Sequence, residues 1–244
     1  MSSATKSWRR RVRNLPLIGP LAVRLRRALV AREFAGVERY WESRYASGGN
    51  SGAGSYNRLA AFKAEVINDF VERNGVEMVI EFGCGDGNQL KLACYKRYLG
   101  FDVAPSAIAA CKRAFAGDPT KRFKLVSEYA GEKADVSLSL DVIYHLVEQP
   151  VFEAYMRRLF DSAEKFVLIY SSNDEKLNQT IGGAPHVRHR RFSNWIERNA
   201  PDWALLSHIP NRYPFSPRDP AQTSFAEFYV YENRRRRSAA SAAP

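Results

Sequence analysis

The stretch Val79-Ile80-Glu81-Phe82-Gly83-Cys84-Gly85-Asp86-Gly87 limits what this chain can fold into more than any other. An apolar strand runs into three alternating glycines and continues into a segment of helical pattern. A side chain at Gly83 or Gly85 would block a tight turn and hold backbone amides away from a ligand lying across the strand ends. A dinucleotide fingerprint, G-x-G-x-x-G, carries its third glycine one position later and an acid about 20 residues on. Here the spacing is G-x-G-x-G, and the next apolar strand ends in an acid at Asp102, fifteen residues after Gly87. Taken alone, the triplet also fits a plain strand-to-helix turn in any doubly wound protein.

The surrounding pattern enlarges this unit. Leu59, Phe62, Val66, Ile67 and Phe70 at helical spacing predict a helix over 57–73, stopped by Asn74-Gly75. Strands are expected over 76–82, 97–103, 123–126, 134–140, 165–170, 204–209 and 224–232, and helices over 88–94, 106–115, 151–160 and 192–199. Alternation of this kind predicts an α/β fold, a doubly wound, mostly parallel seven-stranded sheet with helices on both faces. Residues 210–223, rich in proline and polar residues, leave little room for a crossover helix, so the last two strands are expected as an antiparallel C-terminal edge hairpin. The aromatic strand near 225–231 fits either an edge open to another chain or a half-buried place in the sheet.

With 244 residues, 45% hydrophobic and 26% charged, the chain is long enough for a full core and lies outside the disordered, collagen-like and disulfide-scaffold classes. Cys84, Cys94 and Cys111 are odd in number and lack metal-site spacing, so reduced thiols are expected. The net charge of +11 belongs to the tails. Nine basic residues and no acid occupy 1–32, Arg234 to Arg237 add four, and the remaining 24 basic residues face 26 acids. Basic tails suit an anionic membrane surface, an acidic partner or RNA, or simply solubilise a chain end. The apolar run 15–23 is far short of the roughly 20 residues that span a bilayer, and the arginines after it do not suit a signal peptide. The protein is expected in the cytoplasm, with peripheral association at the inner membrane surface through the basic arm as one reading and nucleic acid disfavoured as a partner. The expected organisation is a basic arm at 1–39, an aromatic and glycine-rich lid segment at 40–56, the main domain at 57–232 and a disordered basic tail at 233–244.

The glycine triplet and Asp102 resemble motif I and the ribose-binding acid of class I S-adenosylmethionine-dependent methyltransferases. The stretch Asp135-Val136-Ser137-Leu138-Ser139-Leu140-Asp141-Val142-Ile143-Tyr144-His145-Leu146 resembles motif IV of the same family, a strand ending in an acid beside the reacting methyl group. The resemblance covers roughly 57–232. It implies S-adenosylmethionine as cofactor, with Glu81, Gly83, Cys84, Gly85, Asp86 and Gly87 under its methionine and ribose parts and Asp102 accepting both ribose hydroxyls, next to Val103. It places Glu128 near the adenine amine, Asp141 and Val142 at the methyl group, and the segment around Trp41 as a lid.

Methyl transfer from a sulfonium is mostly positioning. An aliphatic hydroxyl also needs a base, and His145, four residues after Asp141, is the candidate, with Asp141 beside it. The segment lacks the proline pair that follows the acid in many nucleic-acid and protein amine methyltransferases. This favours oxygen acceptors, and the resemblance extends to bacterial enzymes of glycan contexts. Tyr144, His186, His189, Arg190 and Arg212 are the candidate acceptor contacts. A divalent ion on His186, His189 and Asp141 is weighed against the poor fit of histidine to magnesium, and no metal site is expected. The expected reaction is methyl transfer to a hydroxyl of a saccharide or glycan precursor. Another small-molecule acceptor (lipid, polyketide or amine) and a non-catalytic cofactor-binding scaffold at the membrane surface are the alternatives.

Overall fold

The computed structural model describes residues 36–179 and 184–235. The arm through residue 35, Gly182 and Gly183, and the tail from 236 lie outside the described residues, and with them the expected membrane contact of the arm.

The strands β1 (Met78–Phe82), β2 (Arg97–Asp102), β3 (Lys121–Leu125), β4 (Ala134–Leu140), β5 (Ala163–Ser171), β6 (Trp203–Ile209) and β7 (Glu227–Asn233) form one sheet in the order β3-β2-β1-β4-β5-β7-β6. β1 to β5 pair in parallel, and β7 runs antiparallel to both β5 and β6. The C-terminal pair is therefore the expected antiparallel hairpin. Its aromatic strand β7 is interior, however, between β5 and β6, and β6 forms the edge. The choice the sequence left open is decided by burial: Phe228, Val230 and Tyr231 need cover on both sides of the sheet.

The described helices are α1 (Val37–Ala46), α2 (Asn57–Arg73), α3 (Pro105–Ala114), α4 (Gln149–Asp161) and α5 (Ser193–Asn199). α1 begins ahead of the expected boundary at residue 40. The helix expected over 88–94 is a single 3-10 turn, Gln89–Leu92. The Asp86 carboxylate takes the Asn88 N–H, and the backbone is already extended at Ala93, so a longer helix has no room.

Side-chain alternation assigns the two faces of the sheet. On one face Phe166 of β5 meets Phe70 of α2 at 5.0 Å, and Phe62 of α2 packs on Tyr170 and on Phe228 of β7. On the other, Tyr231 of β7 meets Phe160 of α4, and Tyr229 meets Phe192 at the start of α5. At the N-terminal ends of β1 and β4, Asp135 accepts the N–H groups of Glu77 and Met78 and pairs with Lys165 at 2.5 Å. These charge-assisted bonds fix the register of the central strands away from the site.

Strand order reverses between β1 and β4, because the chain winds outward to β2 and β3 and then returns to the other side. In an open α/β sheet the crevice beyond the carboxyl ends at such a switch point is where ligands bind. The glycine turn, Asp102 and Asp141 all lie at that edge.

Phe228, fully buried between Phe62 and Tyr170, is the centre of the C-terminal half of the core. Phe228→Ala is expected to lower the unfolding free energy by about 3–5 kcal/mol, read from urea unfolding, while leaving S-adenosylhomocysteine affinity within about twofold in protein that remains folded, since Phe228 lies outside the cavity at the strand ends.

Candidate active site

The glycine turn brings backbone to the strand ends where a side chain would not fit. Gly83 has φ +90° and Gly85 φ +56°, both in the left-handed region. A Cβ on Gly83 would overlap the Val142 side chain, and one on Gly85 would overlap Ser51 and crowd the Tyr45 hydroxyl. The N–H groups of Gly83 and Cys84 both donate to Phe101 O of β2, at 2.7 and 3.0 Å. Asp102 ends β2 as a buried carboxylate whose Oδ2 accepts Gly85 N–H and whose Oδ1 accepts Ala104 N–H, each at 2.9 Å. Each oxygen keeps a lone pair for a ligand donor.

Two buried acids thus stand side by side. Burial raises Asp102 to about 6, against the backbone hydrogen bonds that favour its charge. Burial raises Glu81, at the end of β1, to about 7; the hydroxyl of Tyr98, donating to it at 2.6 Å, and the charge of Lys63 oppose that rise.

Asp141 follows β4 in the left-handed region, φ +62°, with its N–H donated to Tyr170 O at 2.9 Å. That conformation is uncommon for a residue with a side chain and persists where surroundings enforce it. They do so here. Lys63, fully buried on α2, reaches Asp141 Oδ2 at 2.7 Å, and the Tyr144 hydroxyl donates to Oδ1 at 2.8 Å. Both carboxylate oxygens are engaged, so Asp141 is a fastened anchor.

The segment before α2 closes over this edge. Asp86 Oδ2 accepts Ser51 N–H at 3.0 Å and the Tyr56 hydroxyl at 2.9 Å, and the Ser51 hydroxyl accepts Asp86 N–H. Asn88 Nδ2 donates to Ser55 O, and Glu42 of α1 accepts both the N–H and the hydroxyl of Ser106 on α3. Burial pushes the Asp86 carboxyl up, but the Asn88 N–H, Ser51 and the Tyr56 hydroxyl together hold it below the usual carboxylate range.

His145 lies in the 3-10 turn Ile143–His145, with Nδ1 3.0 Å from His186 O. A carbonyl only accepts, so Nδ1 carries the proton and Nε2 holds the ring lone pair. The ring is stacked against His186, 5.4 Å away, and edge-on to Trp41 at 5.0 Å; Tyr40 covers the far side of His186 at 4.2 Å. Burial lowers His145 to about 4, with the His186 hydrogen bond and Asp141 pulling upward.

One cavity of about 240 Å³ joins these groups, with Glu81, Gly83, Asp102, Asp141, His145 and Trp41 in its wall. Cys84, Val103 and Val142 also line it, together with Lys63, Gln89 and Val126, which the sequence did not single out. Gln89 donates through Nε2 to Ala60 O, and its Oε1 is buried without a partner. Asp86 and Gly87 support the turn from outside the lining, and Tyr144 works through Asp141.

The remaining expected contacts are placed elsewhere. Glu128 turns its carboxylate onto Leu125 N–H at 2.7 Å and does not line the cavity; Val126 does. His189 is buried against Ser172, Nδ1 to Oγ 2.7 Å, with Asn178 bonded to its backbone. Arg190 donates to Leu146 O, Val147 O and Gln149. Arg212 is exposed and pairs with Glu65 through both terminal nitrogens. His186 reaches the cavity region only through Tyr40 and His145.

Solved structures share this architecture. The N-methyltransferase NodS from Bradyrhizobium japonicum WM9, in complex with S-adenosyl-L-homocysteine, superposes with a TM-score of 0.62 at 15% identity over 81% of this chain and 98% of its own. Magnesium protoporphyrin IX methyltransferase (ChlM) from Synechocystis PCC 6803, with bound S-adenosylhomocysteine, gives 0.54 at 13% identity over 72% and 84%. An S-adenosylmethionine-dependent methyltransferase from Clostridium acetobutylicum ATCC 824 gives 0.53 at 12% over 70% and 90%. None of the curated proteins matches the sequence. Residues 80–167 match the family model described as a methyltransferase domain. The chain has the Rossmann-like fold of class I methyltransferases.

The cavity fits S-adenosylmethionine on its own geometry. Gly83 and Asp102 lie in its wall, Asp102 offers two acceptors for a vicinal diol, and the orphaned Gln89 Oε1 requires a donor; Gly85 stands outside the lining and orients Asp102 through its N–H. Among the described residues, no helix is long and apolar enough to cross a membrane.

Two outcomes follow from the buried charges. Lys63→Met strands the Asp141 carboxylate, and unfolding free energy is expected to fall by about 3–5 kcal/mol, checked by denaturant titration. Glu81, raised to about 7 when folded from an ordinary 4.5, binds protons more readily folded than unfolded. Its ionisation cost is absent below the unfolded value, grows as pH rises through the window and is complete above the folded value. Glu81→Gln is therefore expected to stabilise the domain more at pH 8 than at pH 5, read as the difference in unfolding midpoints. An equal gain at both values would overturn that assignment.

Proposed function

We propose that this methyltransferase transfers the methyl group to a hydroxyl oxygen of a saccharide or glycan precursor, with His145 as general base. The observation that carries the reading is the fixed tautomer of His145: its one N–H is spent on His186 O, leaving the Nε2 lone pair in the cavity that Asp102 and Asp141 share. S-adenosylmethionine supplies an activated methyl carbon, so the protein's tasks are alignment and removal of the hydroxyl proton.

Asp141, the other base at this edge, already accepts from Lys63 and Tyr144. The proton is assigned to His145 Nε2, the lone pair left by the Nδ1 hydrogen bond. Burial makes the resulting imidazolium costly, and Asp141 and the His186 carbonyl offset part of that cost. The saccharide assignment is supported by the aromatic side chains in the cavity wall, Trp41, Tyr45 and His145, which offer apolar surface for the C–H face of a sugar ring.

Labelled S-adenosylmethionine incubated with a fractionated bacterial extract is expected to place label in the glycan or lipid-linked glycan fraction. His145→Ala is expected to lower kcat by about 10²–10⁴-fold, with S-adenosylhomocysteine affinity kept. A variant that binds cofactor and turns over at the wild-type rate would remove the base and point to a neutral amine, which needs none. Because His145 is held near 4, kcat/KM for the acceptor, measured with S-adenosylmethionine saturating at every pH so that Asp102 and Glu81 in the free cavity do not enter, is expected to rise with pH through about 4 and to stay flat from 6 to 8. An acid limb near 6.5 would contradict the buried neutral imidazole.

A further inference from the structure

The loop carrying His186 has a second side that methyl transfer does not use. Beyond it, between α4 and α5, lies a cleft of about 440 Å³ whose wall includes Arg188, Arg190, Arg191 and Arg198 against two acids, Glu153 and Glu175. Among the described residues none of the four arginines forms an ion pair with a carboxylate. Glu153 is occupied from its own helix, accepting from Gln149 Nε2 at 3.0 Å and facing Arg157 at 3.6 Å.

Two of the arginines are held in place by backbone. Arg190 is buried, donates to Leu146 O, Val147 O and Gln149 Oε1, and lies over the Phe152 ring at 4.7 Å. Arg188 Nη1 reaches Val147 O at 3.3 Å. Arg198 uses only Nε, on Asn194 O at 3.0 Å, which leaves both terminal amino groups unspent. Arg191 is exposed, and among the described residues its side chain has no hydrogen bond or ion pair. Burial lowers the pKa of Arg190, and the neighbouring Arg188 charge adds to the lowering. Four guanidinium groups gathered in a concave, mostly polar cleft repel one another, and a multiply charged oxyanion is the ligand that offsets this repulsion while matching their planar, forked donors.

We infer that this cleft binds a phosphate-class anion, a phosphate or diphosphate group, with Arg191 and Arg198 as its mobile donors and Arg188 and Arg190 as its fixed wall. Residues 146–151 separate it from the methyl-transfer cavity: Leu146 and Val151 line the cavity, whereas Gln149 lines the cleft. An anionic handle on a methyl acceptor and a free anion are the two sources of such a group. The site stands independently of which hydroxyl, or which acceptor, is methylated.

The test uses the full chain and needs no turnover. Inorganic pyrophosphate is titrated calorimetrically into wild type and Arg191→Gln/Arg198→Gln at constant ionic strength, with S-adenosylhomocysteine affinity of each protein as the fold control. Both residues are exposed and lie outside the cavity lining, so that affinity is expected to be unchanged. Binding to wild type with a Kd below about 1 mM, weakened about tenfold or more in the double variant, supports the site. Equal binding by both proteins would assign the anion to the basic tails and overturn it, as would no binding to wild type at about 10 mM pyrophosphate. A nucleoside diphosphate sugar binding wild type as tightly as pyrophosphate, with the same loss in the variant, assigns the cleft to an esterified handle; binding of pyrophosphate alone assigns it to a free anion. Failure of the methyl-transfer reading would leave all these titrations unchanged.

Discussion

The buried ion pair between Lys63 and Asp141 is the contact on which the functional edge of this molecule depends. Lys63 rises from α2, ahead of the first strand, and Asp141 stands beyond the fourth, so one 2.7 Å contact joins the covering helix to the carboxyl edge of the sheet. Removing a lysine from water is costly unless a carboxylate meets it, and a left-handed Asp141 is costly unless its side chain is held. Each cost is met by the same contact. Gly54 lies so close to the Asp141 carboxylate that an added Cβ would press on Oδ2, so the segment before α2 is packed against the same point.

From this anchor the division of labour at the site follows. A carboxylate that accepts from a buried ammonium and a tyrosine hydroxyl is fixed in position with its charge paired, which suits an electrostatic role. The imidazole of His145 has the complementary condition: one nitrogen committed to a carbonyl, one lone pair remaining, and a charge state held neutral by burial. The cofactor side is built from different forces. There, glycines admit the backbone, and Asp102 is oriented by two N–H donors. Its carboxylate is thus aligned ahead of any ligand.

Much of this was legible in the chain, and the physical reason is periodicity. Strand–helix alternation and three glycines at alternate positions determine both the fold class and the place of the ligand edge, because each is a local requirement of backbone geometry. Lys63 was legible in principle as well. It falls four residues after Leu59 and four before Ile67, on the apolar stripe of α2, and a lysine there calls for a buried carboxylate partner. The placements of Glu128, His189, Arg190 and Arg212 were not legible. Residue type and loop position are the same for a solvated side chain, one folded back on a backbone N–H and one facing a ligand; only tertiary packing separates them. The interior place of β7 belongs with these, since a half-buried edge strand and a central one differ in what lies beside them and not in their own sequence.

The loop 184–192 shows how closely such roles can be set together. His186 contributes its carbonyl to His145 and its ring to the aromatic wall, Arg188 N–H donates to Tyr144 O at 2.7 Å, and Arg190 binds the carbonyls of Leu146 and Val147. The hydrogen bonds among these fall on residues 144–147, the turn that carries His145. The loop therefore sets the orientation of His145 from one side while its arginines face the cleft on the other. Anything that pulls on Arg190, which shares its guanidinium between that turn and the cleft wall, acts on the carbonyl groups next to the base. Under the two proposals, an anion in the cleft and the base at His145 are connected through two peptide units, with no need for a longer path.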